Sequence, residues 1–304
     1  MKEGASDGTV NEAALRHAGA TGTATEAERH VRHTLPLRVE LSRQLRRRRT
    51  LLTFGFLLLL PWLLVTAFAV DGGDDGGGAS RWNLLDLATT GAFNFTVFTL
   101  YVSAGFLLVV VVALFCGDTV ASEAEWSSLR YLLAAPVPRM RLLRQKLVVA
   151  LGLSAAGVLT LALMSLLAGG LVYGWQPIEL PVGGPDPGVA DSLMRIGIVV
   201  GYLMVALLVV AGTAFALTVA TDSPLGAVGG AVALIIMSNI LEAVDALGAI
   251  REFLPAYWMF AWTDALRPEL PWDGMVQGAA VSFSYATVLV AWAFRHFRDK
   301  DVVS

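Results

Sequence analysis

The polar stretch Cys116–Lys146, CGDTVASEAEWSSLRYLLAAPVPRMRLLRQK, holds two acids (Glu123, Glu125), a tryptophan (Trp126) and an arginine (Arg130) between two strongly apolar runs. Its pattern suits a short amphipathic helix. Asp118 is placed to cap it, and Ser122 and Glu125 stand three apart as in a capping box. Trp126, Leu129 and Leu132/Leu133 then recur at helical spacing. Pro136 and Pro138 stop the helix, and a basic run (Arg139, Arg141, Arg144, Lys146) leads into the next apolar run. A solvated helix hung between two membrane spans is a docking element for something outside the membrane.

A second group of polar residues lies inside apolar runs. Thr96, Thr99 and Ser103 fall on one helical face, with Asn94 and Tyr101 on a neighbouring one. Such groups bond across helices, worth roughly 0.6 kcal/mol each, or line a substrate path. Ser238, Glu242 and Asp245 are expected to share a face further on. An acid at the bilayer centre costs about 2.5–3.5 kcal/mol. Counted from Leu225 at about 1.5 Å per residue, Glu242 lies roughly 26 Å across, near the outer edge of a core about 30 Å thick. That depth suits an outer-mouth carboxylate better than a buried proton relay.

Reaction chemistry of other kinds is missing from the sequence. A P-loop needs Gly-Lys-Ser/Thr to hold phosphates, and the lysines here (Lys2, Lys146, Lys300) follow Met1, Gln145 and Asp299. There is no HExxH, no Cys-x-x-Cys and no G-x-S-x-G, and the histidines (His17, His30, His33, His296) sit in the tails. Work driven by ATP therefore requires an ATPase on a separate polypeptide, and the 116–146 loop is the natural place to meet it.

The elements that position these residues are membrane spans. With 56% hydrophobic and 15% charged residues and a mean hydropathy of +0.64, the chain is too apolar for an ordinary soluble protein. Its apolar residues are blocked into runs of roughly twenty, long enough to cross a bilayer. Six are expected: Leu51–Val70, Leu87–Phe115, Leu147–Tyr173, Ile196–Ala220, Leu225–Ala246 and Met275–Phe294. Of 22 Lys and Arg, 18 precede the first span, lie between the second and third, or follow the last. The other four are Arg81, Arg195, Arg251 and Arg267. The positive-inside rule then puts both termini and the 116–146 loop in the cytoplasm. The single cysteine, Cys116, excludes an intramolecular disulfide and reads as a small buried hydrophobe.

Residues 1–30 lack periodicity and are expected to be a disordered cytoplasmic tail, with 297–304 a second short tail. In segment 31–50, Leu37, Leu41 and Leu45 recur every four residues beside Arg38, Arg43 and Arg46–Arg49. This suits an amphipathic helix in the inner interface, its arginines among lipid phosphates. The DGGDDGGG run at 71–78 lacks EF-hand spacing and reads as an acidic outer linker. Leu247–Asp273 is aromatic but broken by Arg251, Glu252 and Pro255, which fits an interfacial or re-entrant helix pair with Tyr257, Trp258, Trp262 and Trp272 at headgroup depth. Gly226, Gly229, Gly230 and the neighbouring alanines permit close helix approach in span five, as do Gly201 and Gly212 in span four.

Glu123 and Glu125, an apolar run ending in Pro136-Val137-Pro138-Arg139, and a lysine at the head of the next span are similar to one loop of the ABC-2-type ABC transporter permeases. In that family the loop between spans two and three runs close to E-x-E-x-G-T-L, then L-L-x-x-P-V-x-R, then Gly-Lys or a similar pair. This chain has Trp126-Ser127-Ser128-Leu129 where Gly-Thr-Leu is common, and Gln145-Lys146 at the end. The resemblance implies an all-α six-span domain over 51–296, with an elbow helix, a cytoplasmic coupling helix over Thr119–Ala134 and short outer helices. It also implies export at the cell membrane, a second copy or a related permease as partner, and P-loop ATPase subunits that bind ATP and Mg. No cofactor is expected in this chain, and no nucleic-acid partner. Glu123, Glu125, Trp126 and Arg130 then become the docking residues, with Pro136, Arg139 and Lys146 fixing the loop's return. An ion-coupled secondary transporter using Glu242 and Asp245 is the rival reading, although the halves show no inverted-repeat similarity. A membrane assembly factor is a third.

Overall fold

Apolar runs without water to serve their amide groups close every backbone hydrogen bond internally, and so fold as helices. The computed structural model describes residues 37–71, 87–125, 139–180, 187–221 and 223–299, which are helix and loop with no strand among them. In chain order the helices are α1 (Leu37–Leu45), α2 (Arg48–Asp71), α3 (Ala92–Ala104), α4 (Leu107–Glu125) and α5 (Arg139–Val172). They continue with α6 (Val189–Ala206), α7 (Leu208–Thr221), α8 (Pro224–Glu242) and α9 (Asp273–Asp299). Two short 3-10 helices, Asp245–Phe253 and Ala261–Leu266, fill the connection between α8 and α9.

Five units are long and apolar enough to cross a membrane: α2, α5, α6 with α7, α8 and α9. The stretch expected as one span, Leu87–Phe115, is instead the pair α3 and α4, bent by 58° at Gly105–Phe106. A glycine inside a helix costs about 1 kcal/mol relative to alanine, so the break falls where the helix is weakest. The connection between α8 and α9 packs there, with the Phe260 ring 3.5 Å from where a Cβ on Gly105 would stand. Tyr101, one turn earlier, lies against Phe260 with ring centroids 5.2 Å apart.

α7 occupies the middle of the bundle, against α4, α8 and α9, while α5 holds α2, α3 and α4. Small residues set the closest crossings. A Cβ on Gly212 would stand 3.1 Å from Ala286 on α9, and one on Gly117 would stand 2.9 Å from Val228 on α8. In α8, Ala227 and Ala231 are fully buried and Gly230 faces Leu217 of α7. Gly201 and Gly229 face open space, so their lack of a side chain serves no crossing within this chain.

Side chains strap the α8–α9 connection to the long helices. Arg195 of α6, 5% exposed, pairs with Asp191 and donates to the carbonyls of Ala265, Arg267 and Pro268. Tyr202 and Tyr285 donate to the carbonyls of Trp258 and Phe253. Two short helices are present there but are tighter than an α-helix, and the Trp262 side chain is fully buried in protein. Residues 72–86, which contain most of the acidic run, lie outside the described residues.

Candidate functional site

α1 is built inside out relative to a soluble amphipathic helix. Its polar side chains Glu40 and Gln44, one turn apart, are the buried ones, while Leu37, Leu41 and Leu45 are exposed. What buries Glu40 is the start of α5. That helix begins at Arg139, eight residues before the expected Leu147, so the basic run is helical and brings Lys146 inward. Lys146 is 2% exposed, with its Nζ 3.7 Å from Glu40 Oε1. Arg43 pairs with Glu40 Oε2 at 2.8 Å, and Gln44 Nε2 donates to Oε1 at 3.2 Å. Burial pushes the Glu40 carboxyl up, but Lys146, Arg43 and Gln44 together outweigh burial and hold it below its ordinary value.

The second ionic cluster lies on the other leg of the loop. Asp118 accepts from Arg47 at 2.8 Å and from Arg49 at 2.9 Å. Asp118 is therefore not a helix cap. It sits within α4, which runs unbroken from Leu107 to Glu125, and the new helix expected at Thr119 begins as the end of span two. The local capping pattern is outweighed by tertiary contacts: Cys116 and Thr119 are buried, and two arginines neutralise the aspartate between them. Cys116 is the small buried residue its surroundings imply.

A third contact closes the site. Lys146 Nζ donates to the carbonyl of Thr119 at 3.1 Å. The outgoing leg (Asp118, Thr119) and the returning leg (Lys146) of the loop are thus joined to each other, and both are joined to the 40–49 segment. A carboxylate and a carbonyl facing this buried cation offset the cost of its desolvation. Glu123 and Glu125 fall in the last turns of α4 and Arg139 opens α5, whereas Trp126, Arg130 and Pro136 lie outside the described residues. Glu40 and the structural role of Asp118 escaped the sequence reading. The signal for Glu40 was its pairing with Gln44 at a four-residue interval on a face without leucines.

Three of the four polar residues singled out in α3 are spent on local bonds. Thr96 and Thr99 are fully buried and donate to the carbonyls of Ala92 and Phe95, each at 2.8 Å. Asn94 donates to Thr90 at 2.7 Å, and Ser103 is buried with its hydroxyl unpaired. Two apolar cavities, of about 260 and 380 Å³, lie between α5, α7 and their neighbours and share Leu151, Leu208 and Ala211. None of Asn94, Thr96, Thr99 or Ser103 lines either cavity. Ser238, Glu242 and Asp245 do not form one face, because α8 ends at Glu242. Ser238 accepts from the Ala256 amide at 3.1 Å, whereas Asp245 is solvent-exposed and pairs with Arg251 at 2.8 Å.

A family profile described as ABC-2 family transporter protein matches residues 37–238, from the start of α1 to within α8. No curated relative matches the chain.

Proposed function

This chain belongs to the ABC-2 transporter family, and we propose that it is the membrane-spanning permease subunit of an ATP-driven exporter. In this reading it spans the cell membrane six times, counting the bent α3–α4 pair as one crossing, with both termini in the cytoplasm. It works as a pair with a second copy or a related permease, and two separate P-loop ATPase subunits hold ATP and Mg. The loop between α4 and α5 is the surface that meets the ATPase, through Glu123, Glu125, Trp126 and Arg130.

The observation that supports this most is the tie between the loop's two legs. The helices that carry the loop, α4 and α5, are joined through a buried lysine. A push delivered to the loop then reaches α4 and α5 together, and through α4 the central helix α7. The acids at the outer end of α8 favour the rival ion-coupled reading poorly, since Asp245 is solvated and already paired.

Affinity capture through the tagged permease, expressed with its native membrane complement, tests the proposal. A P-loop ATPase is expected in the eluate, and the permease alone is expected to hydrolyse no ATP above a contaminant control. Glu123→Ala/Glu125→Ala is expected to insert normally yet lose the ATPase, because removing charge from a desolvated interface pair costs about 2–5 kcal/mol. Hydrolysis by the permease alone would overturn the reading. Wild-type capture by the double variant would move the docking surface elsewhere.

A further inference from the structure

We propose that α1, the turn after it and the first residue of α2 form a binding surface for anionic phospholipid, with headgroup phosphates held by Arg38, Arg46 and Arg48. The order of side chains around the helix leads to this. At about 100° per residue, Glu40 and Gln44 occupy the face turned to α5, and Leu37, Leu41 and Leu45 form the next sector. Arg38, Ser42 and Arg46 follow on the far side of the leucines. The leucines are exposed, at 39% to 47%, although burial in protein would be their stable state in water. Acyl chains cover such a stripe, and the residues flanking it then stand at phosphate depth.

Charge selects the kind of lipid. Arg43, Arg47 and Arg49 are engaged by Glu40 and Asp118. Arg38, Arg46 and Arg48 are exposed and make no ion pair or hydrogen bond among the described residues. Three unneutralised guanidinium groups, two beside the apolar stripe and one at the start of α2, complement a surface of phosphodiesters that carry net negative charge, which a zwitterionic headgroup lacks. Each basic residue near an anionic membrane strengthens binding roughly fivefold, so the three together give roughly a hundredfold preference. The inference rests on α1 lying at the membrane surface, as the permease reading has it, but not on the ATPase. Lipid selectivity without ATPase capture would refute only the docking reading, and the reverse would refute only this one.

The test is thermal unfolding of the full-length protein in detergent, titrated with phosphatidylglycerol, with phosphatidylcholine and with free glycerol phosphate. Phosphatidylglycerol is expected to raise the midpoint more than phosphatidylcholine, with the difference shrinking as salt rises. The triple variant R38Q/R46Q/R48Q is expected to need roughly a hundredfold more phosphatidylglycerol for the same shift, and R38K/R46K/R48K to keep most of the selectivity. Equal responses of the wild-type protein to the two lipids would overturn the proposal, whether or not the variants fold. So would a glutamine variant with wild-type selectivity. An equal shift from glycerol phosphate would show a soluble-phosphate site and overturn the lipid assignment.

Discussion

Glu40 and Lys146 are unequal partners, and that inequality gives the sharpest prediction. Glu40 keeps Arg43 and Gln44 if Lys146 is removed. Lys146, 2% exposed, loses a carboxylate 3.7 Å from its Nζ if Glu40 is removed and retains the Thr119 carbonyl. Lys146→Met therefore deletes one charged hydrogen bond and one ion contact, a loss of about 1.5–3 kcal/mol. Glu40→Ala takes that carboxylate from a buried cation and should cost about 3–5 kcal/mol. The double variant Glu40→Ala/Lys146→Met removes the buried charge as well, so it should be more stable than Glu40→Ala alone. Thermal unfolding of the four proteins in one detergent and at one lipid ratio reads the whole cycle. If the two single losses add to within about 0.5 kcal/mol in the double variant, the residues act independently and the buried pair is not what holds the loop legs. Equal losses in the two single variants would likewise refute the argument from unequal partners.

Glu40 also sets a pH dependence. Its folded value lies below the unfolded 4.5, so its stabilisation is present above about pH 4.5 and is lost as pH falls through the lower folded value. Midpoints measured from pH 7 downward should fall more steeply in wild type than in Glu40→Gln, and parallel curves would refute this. For topology, in a Cys116→Ser background, Ser128→Cys should resist an impermeant reagent added outside while Gly184→Cys is labelled, and the reverse pattern would invert the protein. On the outer side, Arg195→Ala should lower the unfolding midpoint by several degrees, since it releases four contacts from a buried position, while Arg267→Ala, whose side chain is 62% exposed, should change it little. Equal effects of the two would mean that Arg195 does not clamp the α8–α9 connection.

The spans could be read from the sequence because a bilayer imposes one rule everywhere: an apolar run of sufficient length becomes a helix that closes its own hydrogen bonds. The same rule hid the bend at Gly105, since mean hydropathy passes smoothly over a single glycine and gives no weight to Phe260 approaching from a distant connection. Asp118 shows a different limit. Its position two residues after Cys116 matches a local helix start, yet the arginines that determine its role lie 71 and 69 positions away. Capping rules see four or five neighbours, and these contacts are decided by how α2 packs beside α4. Lys146 was picked out as a residue fixing the loop's return, but its acidic partner was not, because Glu40 belongs to a segment whose arginines dominate its character.

The same residues explain why charge sits so close to the apolar bundle. Apart from the Arg43–Glu40 pair within α1, the ionic contacts described at the α1–α5 end join the 40–49 segment to a helix of the bundle: Glu40 to α5, Arg47 and Arg49 to α4. Apolar packing alone would fix the depth of α4 and α5 poorly, since one leucine contact in lipid resembles another and a helix can slide by a turn at little cost. An ion pair cannot slide by 5.4 Å without being broken. The clusters at Asp118 and Lys146 therefore set the vertical register of the two helices that bear the loop, and Gly117 against Val228, one residue from Asp118, fixes the same level against α8. Beyond the bend at Gly105, α3 makes few contacts with α4, packs mainly on α5, and has no charged anchor of this kind. Movement of the loop should accordingly carry α4 and α5 as a rigid pair, with the angle between α3 and α4 as the degree of freedom that remains.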